Sequence, residues 1–221
     1  MNKSVDVVII GAGGHGREIL DIVIENKNDG DRLNPIGFID DDISMRGEIV
    51  DGYEVICGSG QIGDHFDYSE VNLVCGIGDP KINRMVVQRL LHQGYKFVSV
   101  VSNRAFVARN VCLGNGSVIF PAVNINTGCK IGRFVTVNIG STISHDSRIG
   151  DFSNINPGCH IAGNVNIEEG CYVGMGSSVI QNIQIGERCV VGAGSVVVQN
   201  FGENLLLYGV PAKKIKEFTL R

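Results

Sequence analysis

The chain has 221 residues, enough for one large domain or two small ones, and its 43% hydrophobic and 19% charged residues are typical of an ordinary globular protein. Its formal charge of -4 argues against a general nucleic-acid binder, which is usually basic. Residues 1–100 carry 16 acids and 9 Lys or Arg, whereas residues 101–221 carry 7 acids and 10 Lys or Arg, so a polyanionic ligand is expected on the second half.

The N-terminus predicts neither a signal peptide nor a membrane span, because its apolar run of about five residues is broken by Asp6. The seven cysteines are odd in number and lack Cys-x-x-Cys spacing, which favours neither a disulfide framework nor a zinc site. We therefore expect a reducing, cytoplasmic environment and no metal requirement.

The first half of the chain predicts alternating strands and helices. Strands are expected at residues 5–10, 35–40, 71–78 and 96–102. Helices are expected at residues 17–26, where Ile19, Ile22 and Val23 share one face, and at residues 81–94, where Gly94 ends the helix. This alternation is typical of a small parallel α/β domain.

The sequence GAGGHG at residues 11–16 lies between the first strand and the first helix, and it has G-x-G-x-x-G spacing. The backbone N–H groups of such a loop face an anion at a helix N-terminus. Three acids follow the second strand, where a ribose-binding acid would stand: Asp40, Asp41 and Asp42. The pattern fits the pyrophosphate of NAD or of a nucleotide-sugar, and a structural glycine turn is a third alternative. A domain of about 100 residues is short for a full dinucleotide fold, which favours the nucleotide-sugar.

The second half is a repeat with a period of six residues. From residue 107 to residue 197 every sixth residue is aliphatic, in sixteen consecutive positions without an insertion. The residues two positions earlier are mostly small, and four of them are cysteines that we expect to be buried: Cys129, Cys159, Cys171 and Cys189. The period predicts about five coils of parallel strands, in which three hexads form one triangular turn and each aliphatic side chain stacks on its counterpart eighteen residues away.

His145 and Asp146 are adjacent and follow the inward Ile143 by two and three residues, which places them on a turn of the predicted coil. Histidine titrates near neutral pH and is a common general base. A neighbouring carboxylate could accept the other ring N–H, fix the tautomer and stabilise the imidazolium. A solvated surface turn is the alternative interpretation.

With these motifs the chain resembles the hexapeptide-repeat acyltransferases, which are left-handed parallel β-helices that typically form trimers. More narrowly, it resembles the nucleotide-sugar N-acetyltransferases of bacterial surface-glycan biosynthesis, with the sialic acid O-acetyltransferases as close relatives. The resemblance covers essentially the whole chain, through the segments IIGAGGHGREI, GFIDDD, GIGD, SHDSRIGDFSNINPG, AGNVNI and GVPAKKIKE. It implies an α/β Rossmann-like domain at residues 1–102, an all-β left-handed parallel β-helix at residues 103–200 and a C-terminal tail at residues 201–221.

The resemblance implies transfer of acetyl from acetyl-CoA to the amine of a nucleotide-linked amino sugar, with a 4-amino-deoxy sugar as the first expectation. His145 would be the base and Asp146 its partner. The backbone N–H of Gly163 would stabilise the oxyanion. Acetyl-CoA would run along the wall between two subunits and past four further residues: Gly174, Ala193, Lys213 and Lys214. A solvated basic tail is the alternative for the lysines.

The resemblance also implies a set of substrate-binding residues, with His15 near the pyrophosphate or the sugar: Gly11, Gly13, Gly14, His15, Asp40, Asp41, Gly76 and Asn154. Asn154 stands nine residues after His145, where some relatives carry a second histidine, so a single-base mechanism is expected. His65 and His92 are expected at the surface. His160 is expected at the surface or in a subunit contact, with a ligand role as the alternative.

The implied assembly is a homotrimer with active sites between subunits. Two rival functions stay open at this point. One is O-acetylation of a sialic acid-like sugar, and the other is a non-catalytic nucleotide-binding trimer that would not bind coenzyme A. The motifs specify neither the nucleobase, nor the sugar and its amine position, nor the length of the acyl chain.

Overall fold

The computed structural model describes residues 4–218, which divide into two compact units. The N-terminal unit contains residues 4–78 and 82–102, and the C-terminal unit contains residues 79–81 and 103–218. Residues 1–3 and 219–221, the extreme ends of the predicted domain ranges, lie outside the described residues.

The N-terminal unit is built on a six-stranded sheet with the order β3-β4-β2-β1-β5-β6, in which only the β3–β4 pair is antiparallel. Single 3-10 turns lie at Ile43–Met45 and Ile62–Asp64. The helices and strands are β1 (Val5–Ile10), α1 (Gly14–Asn28), β2 (Leu33–Ile39), β3 (Ile49–Val50), β4 (Tyr53–Cys57), β5 (Asn72–Cys75), α2 (Pro80–His92), β6 (Lys96–Phe97) and β7 (Val100–Val101). Each predicted strand and helix is therefore present, while the β3–β4 hairpin was not predicted.

Helix α1 packs closely on the end of β1 because of Gly16, the last glycine of the G-x-G-x-x-G pattern. A Cβ at Gly16 would lie 1.8 Å from the carbonyl oxygen of Gly11, so no larger residue fits there. On the inner face of the helix Ile19 and Val23 are fully buried, as the spacing predicts. The glycine pattern thus allows α1 to pack on β1, in addition to any role in ligand binding.

The C-terminal unit contains sixteen strands of two residues each, β8 to β23, and the second residue of every strand is the aliphatic residue of one hexad. Each strand from β8 to β20 pairs in parallel with the strand eighteen residues further along, as in the register of Ile125 with Ile143 and of Ile143 with Ile161. The stacked aliphatic side chains form the core, and Ile125 and Ile143 are fully buried. The predicted coil of stacked hexads is confirmed. The strands are β8 (Phe106–Val107), β9 (Cys112–Leu113), β10 (Val118–Ile119), β11 (Asn124–Ile125), β12 (Lys130–Ile131), β13 (Thr136–Val137), β14 (Thr142–Ile143), β15 (Arg148–Ile149), β16 (Asn154–Ile155), β17 (His160–Ile161), β18 (Asn166–Ile167), β19 (Tyr172–Val173), β20 (Ser178–Val179), β21 (Gln184–Ile185), β22 (Val190–Val191) and β23 (Val196–Val197).

Three parallel sheets form the walls of this β-helix. We call them sheet 1 (β8, β11, β14, β17, β20, β23), sheet 2 (β9, β12, β15, β18, β21) and sheet 3 (β10, β13, β16, β19, β22). The turns between sheets 1 and 2, at residues 109–110, 127–128, 145–146, 163–164 and 181–182, are the histidine edge. The turns between sheets 3 and 1, at residues 121–122, 139–140, 157–158, 175–176 and 193–194, are the apolar edge.

The second residue of each turn has a left-handed backbone conformation. From Gly116 to Gly194 every sixth residue has a φ between 55° and 75°, and these include Asp146 at 61° and Asn164 at 57°. Gly, Asn and Asp adopt this region most readily, which accounts for their frequency in the repeat. The chain can therefore turn sharply once per hexad and keep its register.

Small inward residues join successive coils through hydrogen bonds. Ser153 Oγ donates to the carbonyl of Glu168 at 3.0 Å and accepts the N–H of Cys171 at 3.1 Å. Cysteines take the same place, and Cys171 Sγ lies 3.1 Å from the carbonyl oxygen of Gly186. Burial raises the pKa of Cys171 to about 12, so it stays a thiol that can donate. The four predicted inward cysteines are all buried and free of disulfides.

Replacing Ser153 by alanine is expected to lower the free energy of unfolding by about 1–3 kcal/mol, because a buried carbonyl and a buried N–H lose their partner. Replacement by cysteine should lower it less, since the chain uses cysteine at equivalent positions. The measurement is the urea midpoint of each variant against wild type. An unchanged midpoint for Ser153→Ala would show that these bonds contribute nothing to stability.

The predicted C-terminal tail is a β-hairpin of β24 (Leu205–Gly209) and β25 (Ala212–Glu217). Strand β24 continues sheet 3, since Val190 and Val191 of β22 pair in parallel with Leu206 and Leu207. Strand β25 pairs with β24 in the antiparallel direction. The lysines of GVPAKKIKE thus lie on an ordered strand.

Candidate active site

His145 and Asp146 form the turn between β14 and β15 on the histidine edge. Nδ1 of His145 lies 2.9 Å from Oδ2 of Asp146, and both side chains are about two-thirds exposed (62% and 66%). Because a carboxylate only accepts hydrogen bonds, the contact places the ring proton on Nδ1. Nε2 then carries the lone pair that a general base needs.

The imidazole of His145 lies over Gly163, which is its counterpart in the next coil. A Cβ at Gly163 would stand 2.6 Å from Nε2 and 2.7 Å from Cε1 of the ring. Within residues 4–218 the backbone N–H of Gly163 donates no hydrogen bond, while its carbonyl accepts the N–H of Asn182 at 3.1 Å. The residue that lies under the His145 ring therefore carries an unused backbone donor.

Backbone hydrogen bonds hold this turn between its neighbouring coils. The N–H of Asp146 donates to the carbonyl of Thr127 at 3.0 Å, and the N–H of Asn164 donates to the carbonyl of His145 at 2.9 Å. The backbone that carries the pair is thus fixed, while the side chains face solvent. An exposed, oriented His–Asp pair is suited to proton transfer with an incoming molecule.

The residues predicted to bind acetyl-CoA lie elsewhere on the β-helix. Ala193 is exposed on the apolar edge, and Gly174 precedes that edge by one residue, with its Cβ direction filled by the backbone nitrogen of Ala193 at 2.6 Å. Lys213 and Lys214 are exposed on β25, and Nζ of Lys214 lies 2.6 Å from a carboxylate oxygen of Glu217. The structure thus brings Gly174 and Ala193 together, but not at the histidine edge.

Asn154 lies on sheet 3, as the first residue of β16, and is buried. The coil turns through half its circuit in nine residues, so within one chain Asn154 does not share the histidine edge with His145. His160 lies on sheet 1 and is exposed, with Nδ1 3.0 Å from Oγ1 of Thr142. His65 and His92 are exposed in the N-terminal unit.

The glycine loop of the N-terminal unit is an open helix N-terminus. Gly11 has a φ of 94°, and its N–H donates to the carbonyl of Ile39 at 2.7 Å. Gly13 is the N-cap of α1, Gly14 is the first helical residue, and neither has an atom within 4 Å of its Cβ direction. Gly76 packs against the loop, since its Cβ would lie 2.8 Å from Cα of Gly16. The loop therefore leaves room for an anion above Gly13 and Gly14.

The acids after β2 already hold protein groups. Oδ2 of Asp40 accepts the N–H of Ala12 at 2.8 Å, which fixes the glycine loop. Asp41 accepts from the N–H and hydroxyl of Ser59 and contacts the guanidinium of Arg89 at 3.4 Å. Burial alone would raise the pKa of Asp41, but the bonds from Ser59 and Arg89 outweigh it and hold the pKa below its usual value.

His15 lies in the first turn of α1 with its side chain 19% exposed, and Nδ1 is 3.7 Å from a carboxylate oxygen of Glu18. Burial lowers the pKa of His15 below its usual value, although the charge of Glu18 opposes the shift. His15 is therefore neutral near pH 7 and offers a hydrogen-bonding group rather than a charge beside the glycine loop.

Neither helix within residues 4–218 has the length and apolar character that a bilayer span requires. In the same residues no three His, Cys, Asp or Glu side chains converge as a set of metal ligands.

Residues 6–90 match the family model of the PglD N-terminal domain, and residues 164–199 match that of the bacterial transferase hexapeptide, which comprises six repeats. The chain is 30% identical over 139 residues to the GDP-perosamine N-acetyltransferase of Escherichia coli O157:H7, a match that covers 62% of this chain and 61% of that protein.

Two solved structures resemble nearly the whole chain. One is the acetyltransferase domain of PglB from Neisseria gonorrhoeae FA1090 in complex with acetyl coenzyme A, with 26% identity, a TM-score of 0.88 and coverage of 96% of this chain and 100% of that one. The other is PerB from Caulobacter crescentus in complex with CoA and GDP-perosamine, with 27% identity, a TM-score of 0.84 and coverage of 96% and 97%.

These likenesses confirm the predicted architecture, a Rossmann-like domain followed by a left-handed hexapeptide-repeat β-helix. The two family models match separate parts of the chain, the first in the N-terminal unit and the second in the β-helix. The chain is therefore similar to nucleotide-sugar acetyltransferases, with a match to the PglD N-terminal domain at residues 6–90 and to the bacterial transferase hexapeptide at residues 164–199.

Proposed function

We propose that this protein transfers an acetyl group from acetyl-CoA to the amine of a nucleotide-linked amino sugar, with His145 as general base. The observation that carries the proposal is the geometry of the histidine edge. Asp146 accepts the Nδ1–H of His145, and Nε2 lies over Gly163, whose backbone N–H donates no hydrogen bond within residues 4–218. The relatives named above are described as an N-acetyltransferase and as complexes with acetyl coenzyme A or with CoA and GDP-perosamine, which supports both substrates.

In the proposed reaction the sugar amine attacks the thioester carbonyl, and Nε2 of His145 takes the proton as the C–N bond forms. The N–H of Gly163 donates to the oxyanion of the tetrahedral intermediate. Breakdown of the intermediate cleaves the C–S bond, and the proton passes from the imidazolium to the departing thiolate of coenzyme A. Asp146 stabilises the imidazolium while the proton is held.

The glycine loop is the proposed binding site for the nucleotide-sugar. Gly13 and Gly14 leave an open helix N-terminus for the pyrophosphate, and neutral His15 lies one residue away. Asp40 supports this site by accepting the N–H of Ala12, which holds the glycine loop in place. Asp41, the next residue, accepts the hydroxyl of Ser59. Seven free cysteines and the use of acetyl-CoA favour the reducing cytoplasm as the place of action.

The test is thiol release from acetyl-CoA with UDP-, dTDP- and GDP-linked sugars that carry an amine or a hydroxyl at matched positions. We expect turnover with an amino sugar, and GDP-perosamine is the first to try because of the relatives. Turnover with hydroxyl acceptors only would replace the proposal by O-acetylation. Absence of both turnover and coenzyme A binding would indicate the non-catalytic alternative.

A homotrimer with shared active sites is the proposed assembly. His145 lies on the histidine edge and Ala193 on the apolar edge of the same β-helix. One acetyl-CoA can then meet both residues if the two edges come from different subunits. This division of the site between two edges supports an active site at a subunit interface.

Mixed oligomers of two inactive variants test this arrangement. His145→Ala and Ala193→Trp, which would block the exposed apolar edge, are each expected to be inactive alone. In randomly mixed 1:1 trimers about a quarter of the sites should combine an intact His145 with an intact Ala193 from the neighbouring subunit. Co-expression and purification of the mixture should therefore restore about a quarter of wild-type kcat. No restoration in verified mixed trimers would place both residues in one subunit's site.

A further inference from the structure

Gly128 lies one coil before Asp146 on the histidine edge, and its missing side chain leaves the space that the carboxylate occupies. A Cβ at Gly128 would stand 2.4 Å from Oδ1 of Asp146 and 3.4 Å from its Cγ. Real Cβ atoms essentially never come within 3.0 Å of another heavy atom, so the 2.4 Å separation requires something to move. Any side chain at residue 128 would therefore displace the Asp146 carboxylate.

Gly128 also interrupts a column of amide and carboxylate side chains. The residues at this turn position, eighteen apart, are Asn110, Gly128, Asp146, Asn164, Asn182 and Asn200. Two neighbouring asparagines of this column bond to each other, since Nδ2 of Asn164 donates to Oδ1 of Asn182 at 2.8 Å. An asparagine at residue 128 would offer Asp146 a similar partner and would compete with His145 for its carboxylate.

The backbone around Gly128 is held from the preceding coil. Oδ1 of Asn110 accepts the hydroxyl of Thr127 at 2.8 Å and the N–H of Gly128 at 3.3 Å. The carbonyl of Thr127 in turn accepts the N–H of Asp146 at 3.0 Å. These hydrogen bonds hold the backbone at Gly128 in place. It therefore cannot easily shift to make room for a new side chain at residue 128.

We infer that Gly128 is a positioning residue for the His145–Asp146 pair. It leaves the Asp146 carboxylate free of any partner from the preceding coil, so that the carboxylate accepts Nδ1–H of His145 and fixes the tautomer of the ring. Its effect on turnover rests on the proposed function, whereas its effect on the tautomer does not.

The test compares Gly128→Ala and Gly128→Asn with Gly47→Ala and Gly47→Asn. Gly47 lies in the N-terminal unit and has a similar left-handed backbone conformation (φ of 80° against 74°), but no atom lies within 4 Å of its Cβ direction. The Gly47 variants thus carry a similar backbone strain without touching the pair or either edge of the β-helix. Asparagine tolerates the left-handed region, so the Gly128→Asn comparison stays informative even if alanine proves too strained to fold.

Two readouts separate positioning from a general loss of structure. The first is the pair of ring 15N shifts of His145 at a pH where the ring is neutral, assigned by comparison with His145→Ala. We expect the Nδ1–H tautomer in wild type and in both Gly47 variants, and a shift toward Nε2–H in both Gly128 variants. The second is steady-state kinetics, in which kcat should fall by about 10- to 100-fold in the Gly128 variants, with KM for acetyl-CoA changed by less than about twofold.

An unchanged tautomer in folded Gly128→Asn would overturn the inference, and so would a kcat equal to that of Gly47→Asn. If wild type turns over no acceptor, the proposed function fails, but the 15N shifts still decide whether Gly128 positions the pair.

Discussion

Replacement of His145 by alanine is expected to lower kcat for amine acetylation by about 10²- to 10⁴-fold, the usual contribution of a general base. The side chain is 62% exposed, so its loss should barely change the melting temperature. Binding of acetyl-CoA should also persist, because the proposed coenzyme residues lie at the apolar edge or on β25 rather than on the histidine edge. The measurement is thiol release at saturating acetyl-CoA and amino sugar, together with a thermal melt.

His160→Ala is the matched control for the loss of His145. It removes another exposed imidazole from the same β-helix, but one bonded to Thr142 on sheet 1 rather than to a carboxylate on the histidine edge. Its kcat should stay within about twofold of wild type. Full activity of His145→Ala would assign the base to another group, whatever the substrate is. Equal losses in both variants would point to a general effect of the substitutions.

Gly163→Ala is expected to lower kcat by about 10²-fold, because the new methyl group would occupy the position of the His145 ring. The Cβ would lie within 3.1 Å of three ring atoms, including Nε2 at 2.6 Å, so the exposed imidazole must swing away. A displacement of this size at a reacting group has an effect of that order. The backbone N–H of Gly163 remains, so the variant tests the position of the base rather than the oxyanion donor.

Gly202→Ala is the control for the Gly163 variant, since Gly202 lies outside the left-handed region and has no atom within 4 Å of its Cβ direction. Both variants should melt close to wild type, because alanine suits an unstrained backbone and His145 can rotate into solvent. A Gly163→Ala enzyme with wild-type kcat would show that the ring position over Gly163 is not the active one.

Much of the fold follows from the sequence because the repeat is strict. One aliphatic residue per hexad determines the inward frame, and eighteen-residue stacking then places Gly163 beside His145. The same count would have placed Asn154 on the opposite wall, since nine residues are half a circuit. The role expected for Asn154 came from its position in a motif of the relatives. A motif position does not say on which side of the coil a residue lies.

Other features depend on contacts that hydrophobic spacing does not report. The β3–β4 hairpin has its signal at Asp51 and Gly52, whose left-handed conformations make a tight turn, but its strands are short and half exposed. The small inward residues were expected only to let the chain bend. In the structure the hydroxyl of Ser153 also forms hydrogen bonds with two backbone groups, the carbonyl of Glu168 and the N–H of Cys171. Asp40 and Asp41 follow β2 as predicted, yet their bonds to Ala12 and Ser59 could not be read from spacing.

The C-terminal hairpin determines how the stack of parallel coils ends. An open parallel edge would invite a coil of another molecule to add on, and the stack could grow into a fibre. Here β25 runs against β24, so its outer edge presents the wrong hydrogen-bond pattern for a parallel hexad. Lys213, Lys214 and Lys216 place positive charge along this last strand, which repels the same edge of a second copy. The hairpin thus gives sheet 3 an antiparallel edge, which disfavours the addition of a further parallel coil to this wall.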